Sequence, residues 1–449
     1  MTVFLNILLG LFGLGVVVFF HELGHFLAAR LVGIKVDAFS IGWGNPVLKK
    51  KVGEVEYRLG MFPIGGYCKM HGENDYNVAW DNMQKGIEPE QGTYLAASPA
   101  KRMLVCVAGP LFNLIFAIIL LAFIWGFGFE INTVGNKIIL ASEVNAETQQ
   151  QYPADIAGLK TGDRIVEIDG KEITYYHEIQ EMIALNPDKN TRVKVERDRK
   201  LIDINVTPVM DKSTGAGRIG VYFWVEPKIE SVKDGSLAFF AGLKAGDIIT
   251  AVNGTKIRNS EEFARIRSLN PDMLVIEYDR AGTHGQTEIN TLDYNGEPVK
   301  ELGFAWETIR YRSPNLSIPS AVVKGVREGW KTLVVSITSL RLLFKGIDLT
   351  KAVSGPVRIT YMMGDMATQG GFRSFINFIA IISVALCVMN LLPLPILDGG
   401  MIIIFFIEMI RRKPIPPNAI SVLNSFGMVI IGGLMVLALF GDIMFFVRG

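Results

Sequence analysis

A chain of 449 residues is longer than one ordinary domain, and a composition of 49% hydrophobic and 20% charged residues, with mean hydropathy +0.31, is too apolar for a typical soluble protein and too polar for membrane helices alone. The formal net charge of +1, from 45 basic and 44 acidic side chains, excludes the clustered basic face of a nucleic-acid binder. Cys68, Cys106 and Cys387 are odd in number and two of them lie in apolar stretches, which excludes a disulfide framework.

The first predicted element is a membrane-length helix over Thr2–Ala29 that carries His21-Glu22-Leu23-Gly24-His25 near its end. A carboxylate near the centre of a bilayer costs about 2.5–3.5 kcal/mol, so this polar cluster calls for a partner and a purpose. Histidines at i and i+4 stand one above the other on a helix face and can reach one cation. That is the zinc metalloprotease pattern: the histidines hold Zn²⁺, the metal acidifies water, and the intervening Glu takes the proton. The segment resembles a signal peptide in length, but it lacks a basic leader, and removal would discard the cluster, so it reads as a retained span.

Three more stretches meet the roughly 20-residue requirement for entering a bilayer: Met103–Phe129, Phe375–Ile410 and Ile420–Val447. The third of the four is too long for one simple span. Pro393 and Pro395 interrupt it, so it is expected to cross, unwind around Asn390–Gly400 and resume as a short helix. Basic residues cluster at Lys49-Lys50-Lys51, Lys101-Arg102 and Arg411-Arg412-Lys413. The positive-inside tendency places these loops in the cytoplasm and the N-terminus, residues 130–372 and the C-terminus on the far side.

Between the second and third spans lies an internal repeat. Ala157–Asp188 and Ala241–Asp272 align without gaps at an offset of 84, with 14 identities in 32 positions, sharing AGLKxGD, Gly170 with Gly254, and LNPD. Each copy predicts a strand (Arg164–Ile168, Ile248–Val252), a tight turn (Asp169-Gly170, Asn253-Gly254) and a helix (His177–Leu185, Glu261–Leu269). The pattern resembles tandem bacterial PDZ domains, which bind peptides by strand addition or serve as spacers and steric filters. Beyond them, Thr332–Phe344 is apolar but short and carries Arg341, so an amphipathic interfacial helix is expected.

A catalytic zinc site needs a third protein ligand. Asp398 is the acid within the unwound part of the third apolar stretch, and its competing role is N-cap of a helix over Gly399–Ile410. His71 and Glu73 lie in a polar loop, and Glu408 is close to Arg411 and Arg412, which suggests an ion pair.

HExxH in the first span, Leu397-Asp398-Gly399 in a later one and PDZ-like repeats between them resemble the site-2 protease family of intramembrane zinc metalloproteases, in particular the regulator of sigma-E protease group with two tandem PDZ domains. The resemblance covers nearly the whole chain. It implies one Zn²⁺ per chain held by His21, His25 and Asp398, Glu22 as general base, and Asn390, Pro393 and Pro395 as substrate-binding positions. Gly109-Pro110-Leu-Phe-Asn113 is similar to the family's GPxxN motif and reads as structural support. Family members carry another Asn where this chain has Ala385, and some carry a His at the position of Met401.

The implied fold is a polytopic α-helical membrane protein of about four transmembrane helices, with a re-entrant β-hairpin and two inserted α+β PDZ-like domains. Its expected segments are 1–30 (first helix), 31–102 (cytoplasmic loop with the hairpin), 103–129 (second helix), 130–222 and 223–310 (periplasmic PDZ-like domains), 311–372 (amphipathic juxtamembrane helices), 373–410 (broken third segment) and 411–449 (loop and fourth helix). The implied activity, in a bacterial inner membrane, is cleavage within transmembrane segments of single-span proteins, such as an anti-sigma factor after first-site cleavage, and of remnant signal peptides, as regulated intramembrane proteolysis in an envelope stress response. Membrane lipid is the surrounding partner, and no nucleic acid is expected. Two other readings stay open on the residues: a non-catalytic PDZ scaffold, and a metal transporter, since buried His and Asp also mark ion pathways.

Overall fold

The protein is described from a computed structural model over residues 2–73, 78, 80–81, 85, 89–144, 150–212, 215–269, 271–292, 297–299, 301–342 and 354–448. The chain divides into two units: residues 1–129 with 313–449, and residues 130–312.

The apolar stretches fold as helices in the first unit. In chain order its elements are α1 (Thr2–Val32), strands β1 (Val36–Val52) and β2 (Val55–Met70), α2 (Pro99–Phe127), α3 (Ile318–Leu342), α4 (Pro356–Thr368), α5 (Gly371–Asn390), α6 (Asp398–Arg411) and α7 (Pro417–Arg448). Four of these, α1, α2, α5 and α7, contain stretches long and apolar enough to cross a membrane. Pro99 opens α2 and Pro356 opens α4, positions where a missing N–H costs nothing. Close helix contacts are made at small residues. A Cβ on Gly10 of α1 would strike Thr360 of α4, and one on Gly364 would strike Asn6. One core gathers Phe26, Phe39, Val55, Val105 and Phe405, and another Val17, Phe116, Met363 and Phe375.

The third apolar stretch ends as α5 at Asn390 and restarts as α6 at Asp398. Pro393 and Pro395 remove two backbone donors from the connection, and Ile396 takes φ +85°, a left-handed conformation costly for a β-branched residue. The helix expected over Thr332–Phe344 is longer at its start: α3 begins at Ile318, and residues 343–353 lie outside the described ones. It runs lengthwise against α2, with Ala321 beside Gly126, Gly325 against Ala122 and Gly329 against Ile118, because small residues four apart let the two backbones approach.

β1 and β2 are each bent, so two strands supply four segments of sheet. Ala38–Ile41 pairs with Lys69–Gly66 and also with Glu56–Leu59, which in turn pairs with Leu48–Lys51. Gly42, at φ +83°, makes the bend in β1. The tip beyond that bend exposes Trp43 and Phe62.

In the second unit the sequence repeat is a structural repeat. Each copy forms a four-stranded antiparallel sheet of the same strand order, 171–172/164–168/191–197/200–206 and 255–256/248–252/273–280/283–290, with one helix of equal length, Tyr176–Ala184 or Ser260–Ser268. The shared aspartate explains why the motif recurs. Arg197 grips Asp163 through two bonds of 2.7 Å and Arg280 grips Asp247 at 2.6 and 2.7 Å, while the same arginines donate to the carbonyls of Gly158 and Gly242. Ile138–Leu140 pairs with Val221–Phe223 at the first copy, and Ile229–Val232 with Phe304–Trp306 at the second. Glu130–Thr133 pairs with Ile309–Arg312, joining the two ends of the unit.

Candidate active site

Helical spacing sets the first two groups. His21 and His25, one turn apart on α1, bring their Nε2 atoms to 3.2 Å. Asp398 opens α6, and its two carboxylate oxygens divide between them, Oδ2 3.4 Å from His21 Nε2 and Oδ1 3.5 Å from His25 Nε2. The cap of α6 is Leu397, which makes no side-chain bond, so Asp398 faces the histidines instead of capping its own helix.

Three donors converging in this way suit a cation. Zinc bonds of about 2.0–2.2 Å at a tetrahedral centre hold the donor atoms roughly 3.3–3.6 Å apart, and the separations of 3.2, 3.4 and 3.5 Å match. The donor set, two imidazoles and a carboxylate, is the zinc type and leaves one tetrahedral position open. Among the described residues this is the group of His, Cys, Asp and Glu side chains close enough to hold a metal together.

Helix α2 forms the wall behind the histidines. His25 donates from Nδ1 to the Val105 carbonyl at 2.9 Å, and Asn113 places its amide 3.2 Å from His21 Nδ1. Gly109 lies directly against both rings, where a Cβ would collide with His25 Nε2 and His21 Cε1. Gly24, on the opposing helix, abuts the Ala108 backbone.

Glu22 is 9% exposed and lies on a cavity of about 890 Å³ together with His21, His25 and Asp398. Gly66 of β2 comes so close that its Cβ would sit 3.1 Å from Glu22 Cγ. The remaining lining includes Tyr94, Arg102 and Asn390, and Ser421, Asn424 and Ser425 of α7.

Of the other positions singled out in the sequence, Asn390 approaches the centre, its Nδ2 3.5 Å from His21 Nε2. Pro393 and Pro395 do not line the cavity; Pro395 packs through its carbonyl against Gly427. His71 pairs with Asp37 at 2.9 Å, away from the cluster, and Glu73 accepts the Met70 N–H while lining the cavity. The ion pair of Glu408 is not with its sequence neighbours but with Arg102 at 2.8 Å, both side chains being at most 4% exposed. Sequence reasoning missed Tyr94, Arg102 and the contact of Asn113 with His21. Arg102 showed only as a charge at the mouth of an apolar run, and Asn113 only as the end of the GPxxN-like motif.

The sequence profile described as peptidase family M50 matches residues 9–434. A Treponema pallidum protein named "Putative zinc metalloprotease" is 33% identical over 98% of this chain and 99% of its own length. A Neisseria meningitidis protein of the same description is 31% identical over 96% and 97%. The "Regulator of sigma-E protease RseP" of Salmonella typhimurium is 28% identical over 98% and 99%. Among solved structures, a PDZ domain of a Listeria monocytogenes SdrC-like protein is 29% identical, covering 18% of this chain and 84% of that one with a TM-score of 0.15. A match that spans almost the full length and encloses the His21, His25 and Asp398 cluster shows that this chain belongs to peptidase family M50, the site-2 protease family of metalloproteases.

Proposed function

We propose that this chain is a zinc-dependent intramembrane endopeptidase that cuts transmembrane segments of single-span proteins. The observation that carries the reading is the meeting of His21, His25 and Asp398 beside Glu22 inside a unit whose helices are long and apolar enough to span a bilayer. His21, His25 and Asp398 would hold one zinc per chain, which would supply Lewis acidity toward water and the scissile carbonyl. Glu22 takes a proton from the attacking water on its carboxylate and delivers it to the leaving nitrogen.

A peptide bond within a helix is shielded by its own hydrogen bonds, so the substrate has to unwind before attack. The stretch Gly66–Met70 pairs with β1 on one side, and Gly66, Tyr67, Cys68 and Met70 line the same cavity as Glu22, which supports strand addition of the unwound segment there. Asn390, within reach of the cluster, offers a side-chain amide to the same backbone. By likeness to the sigma-E regulator, the substrates are an anti-sigma factor after first-site cleavage and remnant signal peptides in an envelope stress response. The enzyme would then lie in a bacterial inner membrane, its active site toward the cytoplasm and the two repeats, read as PDZ-like domains, in the periplasm.

The test is zinc content together with cleavage of a single-span reporter by purified wild type, Glu22→Gln and Asp398→Ala. Expected are a wild type that cuts with one zinc bound, a Glu22→Gln protein that keeps zinc and loses cleavage by at least about 10³-fold, and an Asp398→Ala protein that loses both. A Glu22→Gln protein that cuts at the wild-type rate would overturn the mechanism.

A further inference from the structure

We infer that Asn113 is a positioning residue for the metal centre, acting through His21: its side-chain oxygen accepts the His21 Nδ1–H and thereby fixes the tautomer that turns a free Nε2 lone pair toward the cation. The inference rests on the metal reading proposed above.

Its starting point is a mismatch in hydrogen bonding. Asn113 is fully buried, and its Nδ2 stands 3.2 Å from His21 Nδ1 while its Oδ1 is buried without a partner among the described residues. The far nitrogen of the same ring, Nε2, faces His25 Nε2 and Asp398 Oδ2 at 3.2 and 3.4 Å. A neutral imidazole has one N–H, so if Nε2 is a ligand the proton resides on Nδ1. An NH₂ group facing that N–H would set two donors against each other. Amide oxygen and nitrogen are nearly indistinguishable in shape, and a half-turn of the Asn113 amide replaces this clash with an N–H···O bond without moving the heavy-atom framework.

Two further features of α2 support the assignment. His25 has its own Nδ1 acceptor, the carbonyl of Val105 at 2.9 Å on the same helix, so the helix serves both histidines in one way. The backbone of Asn113 is also anchored, its carbonyl accepting the Ser383 hydroxyl of α5 at 2.8 Å, which holds the side chain at its station. An outer partner that orients a ligating histidine and sharpens its basicity is worth about 10–100-fold in metal affinity.

The experiment is a zinc titration of the intact, detergent-purified protein against a competing chelator, with thermal unfolding of the zinc-free forms in parallel. Asn113→Leu, of similar size and without an acceptor, is expected to bind zinc about 10–100-fold more weakly. Asn113→Ala, which cannot clash, is expected to do the same. Asn113→Asp keeps an acceptor and loses the donor, and is expected to hold zinc at least as tightly as wild type. Leu and Ala variants with wild-type affinity overturn the inference, as does an Asp variant that loses as much affinity as Leu, since the amide would then act as donor or filler. His21→Ala separates the two levels: if it binds zinc as wild type does, the metal reading itself fails, and the role given to Asn113 falls with it.

Discussion

Arg102 and Glu408 offer the sharpest test of the packing that builds this site. Arg102 is on α2, the helix that backs the histidines, and Glu408 is on α6, the helix that begins with Asp398, so their contact fixes one ligand-bearing element to the other's support. The pair is 2.8 Å apart with side chains 4% and 1% exposed. Glu408 uses its second oxygen to accept the Ile415 N–H at 2.9 Å, and the guanidinium rests 4.6 Å from the centre of the Phe405 ring. Replacing Arg102 by Met keeps most of the volume and leaves a carboxylate buried without its counter-charge, a loss of about 3–5 kcal/mol. At about 2–4 °C per kcal/mol for a unit of this size, the unfolding midpoint should fall by about 6–20 °C. The double variant Arg102→Met with Glu408→Leu removes both charges and should recover most of that loss, because two well-packed apolar residues are often as stable as a buried ion pair. Thermal unfolding of the four proteins of this cycle, in one detergent, reads the coupling directly. A single Arg102→Met change that moves the midpoint by less than about 2 °C, or a double variant no better than the single one, would refute the reasoning.

Three further outcomes are expected. Gly109→Ala, placing a methyl group against the His25 and His21 rings, should leave α2 helical yet cut bound zinc at least about 10-fold, because the imidazoles must leave their positions; equimolar zinc by elemental analysis would contradict this. Asp442 of α7 accepts the backbone N–H groups of Gly355, Val357 and Arg358 at 2.8, 3.1 and 3.2 Å, so Asp442→Ala should cost about 1–2 kcal/mol, and an unshifted melting curve would show that this cap is dispensable. In the second repeat, burial raises the Asp247 carboxyl pKa, but the two bonds from Arg280 and the Lys244 N–H outweigh it and hold the group below the usual range. A carboxylate depressed in the folded state stabilises it above the unfolded pKa, about 3.9, and that stabilisation is lost as pH falls through the folded value. The stability gap between wild type and Asp247→Asn, about 2–3 kcal/mol at pH 7, should therefore shrink below about pH 4, and a gap that is constant down to pH 2 would refute the pairing argument.

Much of this protein was legible in its sequence because its strongest signals are local. Apolar length alone delimits four candidate spans. The His21 and His25 pair is readable because one helical turn fixes their separation before any tertiary contact forms. The repeat is readable because each copy keeps the aspartate and glycine that its arginine binds, Asp163 with Gly158 and Asp247 with Gly242. What the sequence could not provide was the partner of each polar group across hundreds of residues. Glu408 has two arginines close by in the chain, yet it binds Arg102, because packing buries that pair and leaves Arg411 and Arg412 at the surface. Asn113 reads as generic helix glue until α1 and α2 meet and its amide stands opposite His21. Likewise, the small residues of α3 mark a close approach but not to which helix; only the fold lays Gly325 against Ala122. Local spacing is enforced by bond geometry and survives in any context, whereas the choice among distant partners is decided by which surfaces are buried together.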